Sequence, residues 1–335
     1  MLPLMELATA FWGSKTLAAA TELDLFSRLS KSRGATPRAL AARLGIAERP
    51  AEMLLTACAA LGLLRKRAAR YVNSALAEEF LVRGKPYYFG GFVEMLDERL
   101  YPGWGELVRA LRSNRPTTWN PETQASLFDA ANPVMLSHFW EAMHSLSSST
   151  ARELAKAVDF RRFRRLLDVG GGSGAFDIEL CRRYRGLRTT VYELPHVAEI
   201  AERRVAEAGL KGRISTAPGD FFADAAYPTG HDVILLSLIL HDWSEADDRE
   251  ILRKCFAALP RGGAVVISEL LVNDAKTGPA PAALMSLNML IETTGGRNYT
   301  ASEYARWLTD AGFRGIRRVR FEAPGADGAV IGFKR

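Results

Sequence analysis

The chain has 335 residues, 48% of them hydrophobic and 24% charged, with a formal net charge of +6. That length exceeds what one hydrophobic core usually serves, so more than one domain is expected, and the balance excludes a disordered or fibrous chain. The positive excess is compatible with an anionic partner, but the arginines are dispersed, and an ordinary basic surface is the plainer reading.

Cys58, Cys181 and Cys255 lie far apart, each inside an apolar helical pattern. Such spacing supports neither a disulfide framework nor a metal site and fits a reducing cytoplasm. The opening MLPLMELATAFWGSK lacks the basic start and apolar run of an export signal. No stretch approaches the roughly 18 uninterrupted apolar residues of a membrane span. A cytoplasmic protein is expected.

In chain order, Leu17, Ala20, Leu23, Leu25 and Phe26 form an approximate helical stripe. Thr36-Pro37 reads as the N-cap and first turn of a helix that ends at Leu44-Gly45. A second helix is expected from Ala51 to Leu61, ending at Gly62, and Leu63 to Val72 reads as a short hairpin. Helix, turn, helix and wing make a winged helix-turn-helix, a shape associated with DNA. The second helix, AEMLLTACAALG, has no Arg, Lys, Asn or Gln to reach bases or phosphates. Its apolar content instead predicts burial in a core or a subunit interface, so a dimerisation role is expected and no nucleic-acid partner.

A mostly helical middle follows, rich in aromatics: Tyr87, Tyr88, Phe89, Phe92, Tyr101, Trp104, Trp119, Phe128, Phe139 and Trp140. Most of these read as core, although GGFVEML and HFWEAMHSL are suited to wall a ligand pocket. From Arg161 short apolar runs alternate with helical stretches: Leu166–Val169, Thr189–Tyr192, Arg213–Ala217, Val233–Ser237 and Val265–Glu269. That alternation predicts a parallel doubly wound sheet, and Ile316–Phe321 with Ala329–Phe333 predicts an antiparallel edge hairpin. The expected division is residues 1–90 as a winged-helix-like dimerisation domain, 91–157 as a helical linker lining a substrate pocket, and 158–335 as the ligand-binding catalytic domain.

The strongest local signal is Leu166 to Phe176, LLDVGGGSGAF, which follows a predicted strand and opens a helix. Glycines let the backbone turn sharply and let a ligand approach main-chain amides. Gly170, Gly172 and Ala175 fit the dinucleotide spacing G-x-G-x-x-A, whereas Gly170, Gly172 and Gly174 fit the methyltransferase form G-x-G-x-G. Glu193 closes the second strand, placed to accept hydrogen bonds from ribose hydroxyls of either cofactor. Asp220 and Phe221, after the third strand, offer a carboxylate for an adenine amino group and a ring for the base. Asp168 sits where a carboxylate could orient the loop or meet an ammonium group, which S-adenosylmethionine has and a nicotinamide cofactor lacks. Context therefore favours S-adenosylmethionine.

The order LLDVGGGSG, YELP, GDFF, LHDW and GGAVVISE resembles the small-molecule O-methyltransferases of plants and bacteria over essentially the whole chain. The resemblance implies a helical, winged-helix-like dimerisation domain, a Rossmann-like class I methyltransferase domain with a mostly parallel seven-stranded sheet and antiparallel edge hairpin, and a homodimer. It implies that His241 is the general base for a hydroxyl of a small aromatic natural-product acceptor, and that Glu269 flanks and orients it. The family's second flanking acid falls at Asn298, in Gly295-Gly296-Arg297-Asn298-Tyr299-Thr300. An amide there could hold the imidazole but not balance its charge, so a less basic His241 and a more acidic acceptor hydroxyl are expected. The resemblance further places Ser237 and Trp243 near the cofactor, and Met143, Asn288, Met289, Thr293 and Asn298 around the substrate. Asp242 and the Ser244–Asp248 acids lack metal-ligand spacing, and no metal is expected. Ser244 reads as the cap of a helix whose first turn those acids complement. Two readings from other classes stay open: a nicotinamide-dependent oxidoreductase, and a DNA-binding regulator with a ligand-sensing methyltransferase fold.

Overall fold

The computed structural model describes residues 1–32, 34–124 and 133–335, the side chains of 133–138 excepted. Phe128, counted above among the aromatics of the middle segment, lies outside the described residues. Two units divide at Pro102/Gly103.

In the first unit the Leu17–Phe26 stripe spans two helices, α1 (Leu2–Glu22) and α2 (Leu25–Ser30), broken where Asp24 takes a left-handed φ of 54°. Thr36 accepts the Ala39 amide to start α3 (Pro37–Leu44), and Gly45 ends it at φ 70°. Helix α4 (Glu48–Ala60) begins before Pro50 rather than after it. The first four amides of a helix have no intrahelical acceptor, so proline removes nothing there. Strands β1 (Leu64–Arg67) and β2 (Arg70–Asn73) pair antiparallel as the expected wing. Ser74 caps α5 (Ala75–Phe80), and α6 (Gly90–Met95) runs into a wide π-type turn at Leu96–Leu100. Leu25, Phe26, Leu40, Leu55, Cys58 and Tyr71 form the core. Helix α4 buries only the face of Ala51, Leu55 and Cys58. Met53 on α4, and Leu4, Leu7, Phe11 and Trp12 on α1, stay exposed.

Helix α7 (Tyr101–Gly105) leads into the second unit, followed by α8 (Leu107–Ser113) and α9 (Pro133–Ala157). Then β3 (Arg165–Val169), α10 (Ala175–Arg183), β4 (Arg188–Glu193), α11 (Pro195–Glu207), β5 (Ile214–Pro218), β6 (Val233–Ser237), α12 (Glu245–Ala258) and β7 (Ala264–Glu269) alternate as expected. After α13 (Ala280–Glu292) and α14 (Ala301–Asp310), β8 (Arg314–Arg320) and β9 (Gly328–Phe333) form the edge hairpin. The seven-stranded sheet runs β5-β4-β3-β6-β7-β9-β8, with β9 antiparallel to both neighbours. β6 and β7 are buried throughout, which is why they read as continuous apolar runs rather than alternating ones. One face carries Leu236, Ile251, Trp307 and Phe313; the other carries Leu154, Phe176, Leu180 and Leu235. Strand β3 lies between β4 and β6, where the winding reverses and the carboxyl ends of an open sheet leave a crevice. No described helix is long and apolar enough to cross a membrane.

Candidate active site

The glycine-rich turn from β3 to α10 opens into that crevice. Gly170 and Gly172 hold φ values of 68° and 54°, which L-residues rarely adopt. A Cβ on Gly170 would stand 2.5 Å from Ile239 Cδ1, and one on Gly172 would stand 2.5 Å from the Trp140 ring. Gly174 is the left-handed N-cap of α10. Glu193, at the end of β4, braces the turn: Oε2 accepts the Gly172 amide at 3.0 Å and Oε1 the Leu194 amide at 2.8 Å. Burial pushes its carboxyl up to about 7, against the pull of those two amides.

Beneath the turn, Asp168 is buried, and its Oδ2 has no hydrogen-bond partner among the described residues. Burial, then the neighbouring Asp177 carboxyl, holds it well above the usual range, and burial takes Asp177 to about 6. Across the crevice, Asp220 Oδ1 accepts the Phe222 and Ala223 amides at 2.8 and 3.2 Å, which turns the chain after β5. Phe221 and Phe222 each meet Trp243 edge-on, at ring-centroid distances of 5.9 and 4.6 Å, and lie tilted against each other at 4.7 Å. A glycine cradle that tolerates no Cβ, an unmet buried carboxylate oxygen and an aromatic wall fit a cofactor with a cationic end and a heteroaromatic end.

At the end of β6, Ser237 donates weakly to the Ser268 carbonyl at 3.4 Å, and Leu238 takes a left-handed φ of 58°. That turn costs a branched residue on the order of 1–2 kcal/mol. It is held by Glu269, fully buried at the end of β7, whose Oε1 accepts the Ile239 and Leu240 amides, each at 3.0 Å. The other oxygen, Oε2, lies 2.5 Å from His241 Nδ1. His241 Nε2 lies 3.4 Å from Asp242 Oδ1. Burial disfavours the imidazolium, but Glu269 and Asp242 outweigh it and raise His241 to about 9; burial lifts Asp242 to about 7. The glycine pair Gly295-Gly296 packs on this turn so closely that a Gly296 Cβ would overlap the His241 carbonyl.

Asn298 does not hydrogen-bond the imidazole: its Nδ2 donates to the Leu270 carbonyl at 2.8 Å. Glu269 has taken Nδ1, and the second acid beside the ring is Asp242, so the imidazole is not left short of negative charge. Asn288 Oδ1 accepts from Trp104 Nε1 at 2.9 Å, tying α13 to the segment after Gly103. Thr293 Oγ1 donates to the Met289 carbonyl and accepts the Gly296 amide at 2.9 Å, so it shapes the glycine pair. Met289 is buried, and Met143 is half-buried on α9. The sequence had weighed Asp242 only as a metal ligand, not as an acid beside the imidazole, and had passed over Asp177, which looked like an ordinary helical acid.

Behind the pair, Asp248 on α12 is fully buried with both oxygens unpartnered among the described residues, and burial, then Glu269, pushes it to about 10. The native state therefore keeps a proton that the unfolded chain releases above its ordinary carboxyl pKa. Stability from this group is full in acid and declines as pH rises toward 10, by at most about 1.4 kcal/mol per unit. Thermal melts between pH 6 and 9 should show a shallower decline for Asp248→Asn than for the native protein; parallel declines would mean that the acid is ionised in the fold.

A family model described as an O-methyltransferase domain matches residues 104–314, and one described as an O-methyltransferase dimerisation domain matches residues 5–83. The chain is 52% identical over 331 residues to the 3-hydroxy-5-methyl-1-naphthoate 3-O-methyltransferase of Streptomyces sahachiroi, covering 99% of this chain and 94% of that one. It is 33% identical over 333 residues to the tetracenomycin polyketide synthesis 8-O-methyl transferase TcmO of Streptomyces glaucescens, covering 99% and 96%. The human N-acetylserotonin methyltransferase, solved in complex with SAM, superposes with a TM-score of 0.88 at 28% identity, over 99% of this chain and 96% of that one. The chain belongs to the O-methyltransferase family and is an S-adenosylmethionine-dependent O-methyltransferase.

Proposed function

We propose that the protein methylates a hydroxyl of a small aromatic natural-product acceptor, of the class named for the hydroxynaphthoate-methylating relative, with His241 as general base. The carrying observation is the 2.5 Å contact between His241 Nδ1 and Glu269 at the carboxyl ends of β6 and β7. Glu269 keeps the ring proton on Nδ1, which leaves the Nε2 lone pair to take the proton of the acceptor hydroxyl. The imidazolium so formed is stabilised by Glu269 on one side and Asp242 on the other. When bound, S-adenosylmethionine supplies a methyl group on a positively charged sulfur. The Gly170–Gly174 turn would receive its amino-acid part, with Asp168 toward the ammonium; Glu193 would take the ribose, and Asp220, Phe221, Ser237 and Trp243 the adenine side. Met143, Asn288, Met289 and Thr293 would bound the acceptor, Asn288 through Trp104 and Thr293 through Gly296. Asn298 would act through the Leu270 carbonyl beside Glu269.

The exposed apolar residues of α1 and α4 support a homodimer formed by the N-terminal unit, and a cytoplasmic location accords with the cysteine usage. Mass spectrometry of incubations with S-adenosylmethionine and a panel of hydroxynaphthoates and other phenols tests the acceptor class. A methyl ether on at least one member is the expected product; turnover of non-aromatic hydroxyls alone would overturn the aromatic reading.

The pH–rate profile reports the base. His241 must be unprotonated, so kcat/KM should rise with pH toward about 9. Asp242→Asn should move that ascending limb to lower pH by removing a charge that favours the imidazolium. Asn298→Glu should move it to higher pH. Identical profiles for all three proteins would show that neither position acts on the base.

A further inference from the structure

Helix α9 reaches the glycine-rich turn through two side chains one helical turn apart. Trp140 lies where a Cβ on Gly172 would have to be. His144, half-buried, places Nδ1 2.8 Å from the hydroxyl of Ser173, itself buried inside the turn. Residues four apart share a helix face, so this face of α9 is dedicated to the turn. Ser173 lies between Gly172, whose amide Glu193 accepts, and Gly174, which starts α10. Fixing the Ser173 hydroxyl therefore fixes the one residue of the turn's second half that has a side chain to hold.

We propose that His144 is a positioning residue for the cofactor: it anchors the glycine-rich turn to α9 through Ser173 and so keeps the turn's amides in binding geometry. This rests on the turn being the S-adenosylmethionine site. Burial, then the Arg204 and Arg182 guanidiniums, lowers His144 to about 4, so the ring is neutral at working pH and can serve as either partner of a serine hydroxyl. It also adds no positive charge beside a cationic cofactor. The hydroxyl of Ser173 would otherwise rotate freely, and the flanking glycines give the backbone little stiffness of its own.

Calorimetric titration with S-adenosylhomocysteine tests the anchor, with thermal melts run in parallel. His144→Leu and Ser173→Ala should each weaken binding about three- to tenfold, the worth of one enclosed hydrogen bond. KM for S-adenosylmethionine should rise with kcat nearly unchanged. The double variant should be no weaker than either single one, because both remove the same bond. His144→Asn, which offers an amide at the reach of Nδ1, should recover most of the affinity. Additive losses, or lowered melting temperatures with unchanged affinity, would overturn the proposal. Should His144→Leu fail to fold, Ser173→Ala alone decides, since it removes a single oxygen. Native protein that binds no S-adenosylhomocysteine would refute the site itself, a result distinct from variants that bind as well as the native protein.

Discussion

His241→Gln lowers kcat about 10²- to 10⁴-fold, the range for loss of a general base, while S-adenosylhomocysteine binds within about twofold of its native affinity. The separation follows from where the residue sits. Its Nδ1 meets Glu269 and its backbone belongs to the turn after β6, whereas the glycine-rich turn is braced by Glu193 from the end of β4. A glutamine can still meet Glu269 but has no group that takes a proton from a hydroxyl near neutral pH. Glu269→Gln should cost a comparable factor in kcat and also lower the melting temperature, because Oε1 holds the Ile239 and Leu240 amides that stabilise the left-handed Leu238. Rapid-quench single-turnover rates beside calorimetric affinities check both variants. Unchanged chemistry in His241→Gln would mean that the acceptor hydroxyl ionises without the protein's help.

Gly172→Val removes cofactor binding, weakening S-adenosylhomocysteine by more than about 100-fold, or about 2.7 kcal/mol. Two independent effects point the same way. The φ of 54° costs any L-residue on the order of 1–2 kcal/mol, and a β-branched one more. The added Cβ would also stand 2.5 Å from the Trp140 ring, so either the turn or α9 has to move. Movement of the turn breaks the Gly172 amide bond to Glu193. Gly209→Val is the matched control: it has a similar φ of 70° with open space around its Cβ, far from the turn in sequence. A variant at Gly172 that binds normally would show that the turn adapts and that its native geometry is not what holds the cofactor.

Much of this is legible in the amino-acid sequence. Short runs of strand length, separated by helical stretches, locate the parallel strands within two residues, most plainly at β6 and β7, which are covered on both faces and so read as continuous apolar runs. The glycine turn, Glu193 and Glu269 were readable because each stands at the carboxyl end of a predicted strand, where a parallel sheet collects its functional groups. Helix starts marked by capping side chains were equally plain at Thr36 and Ser244. The start of α4 was not, because proline in a first turn looks the same in sequence as proline that breaks a helix.

Local pattern thus determined the elements, their order and the strand ends that carry the chemistry, since periodicity and backbone stereochemistry act over a few residues. Tertiary packing alone decided which side chains meet there. His144 and Ser173 are 29 residues apart, and His241 and Glu269 28 apart. Asn298 turns to the Leu270 carbonyl instead of the imidazole, and Asp242 comes to Nε2 through the 3-10 turn of Leu240–Asp242. Asp168, Asp177 and Asp248 acquire their raised pKa values from burial first, and Asp168 and Asp248 also from carboxyl groups that the fold brings beside them. A carboxylate's charge state depends on how much water and which charges surround it in three dimensions, and no sequence neighbour specifies either.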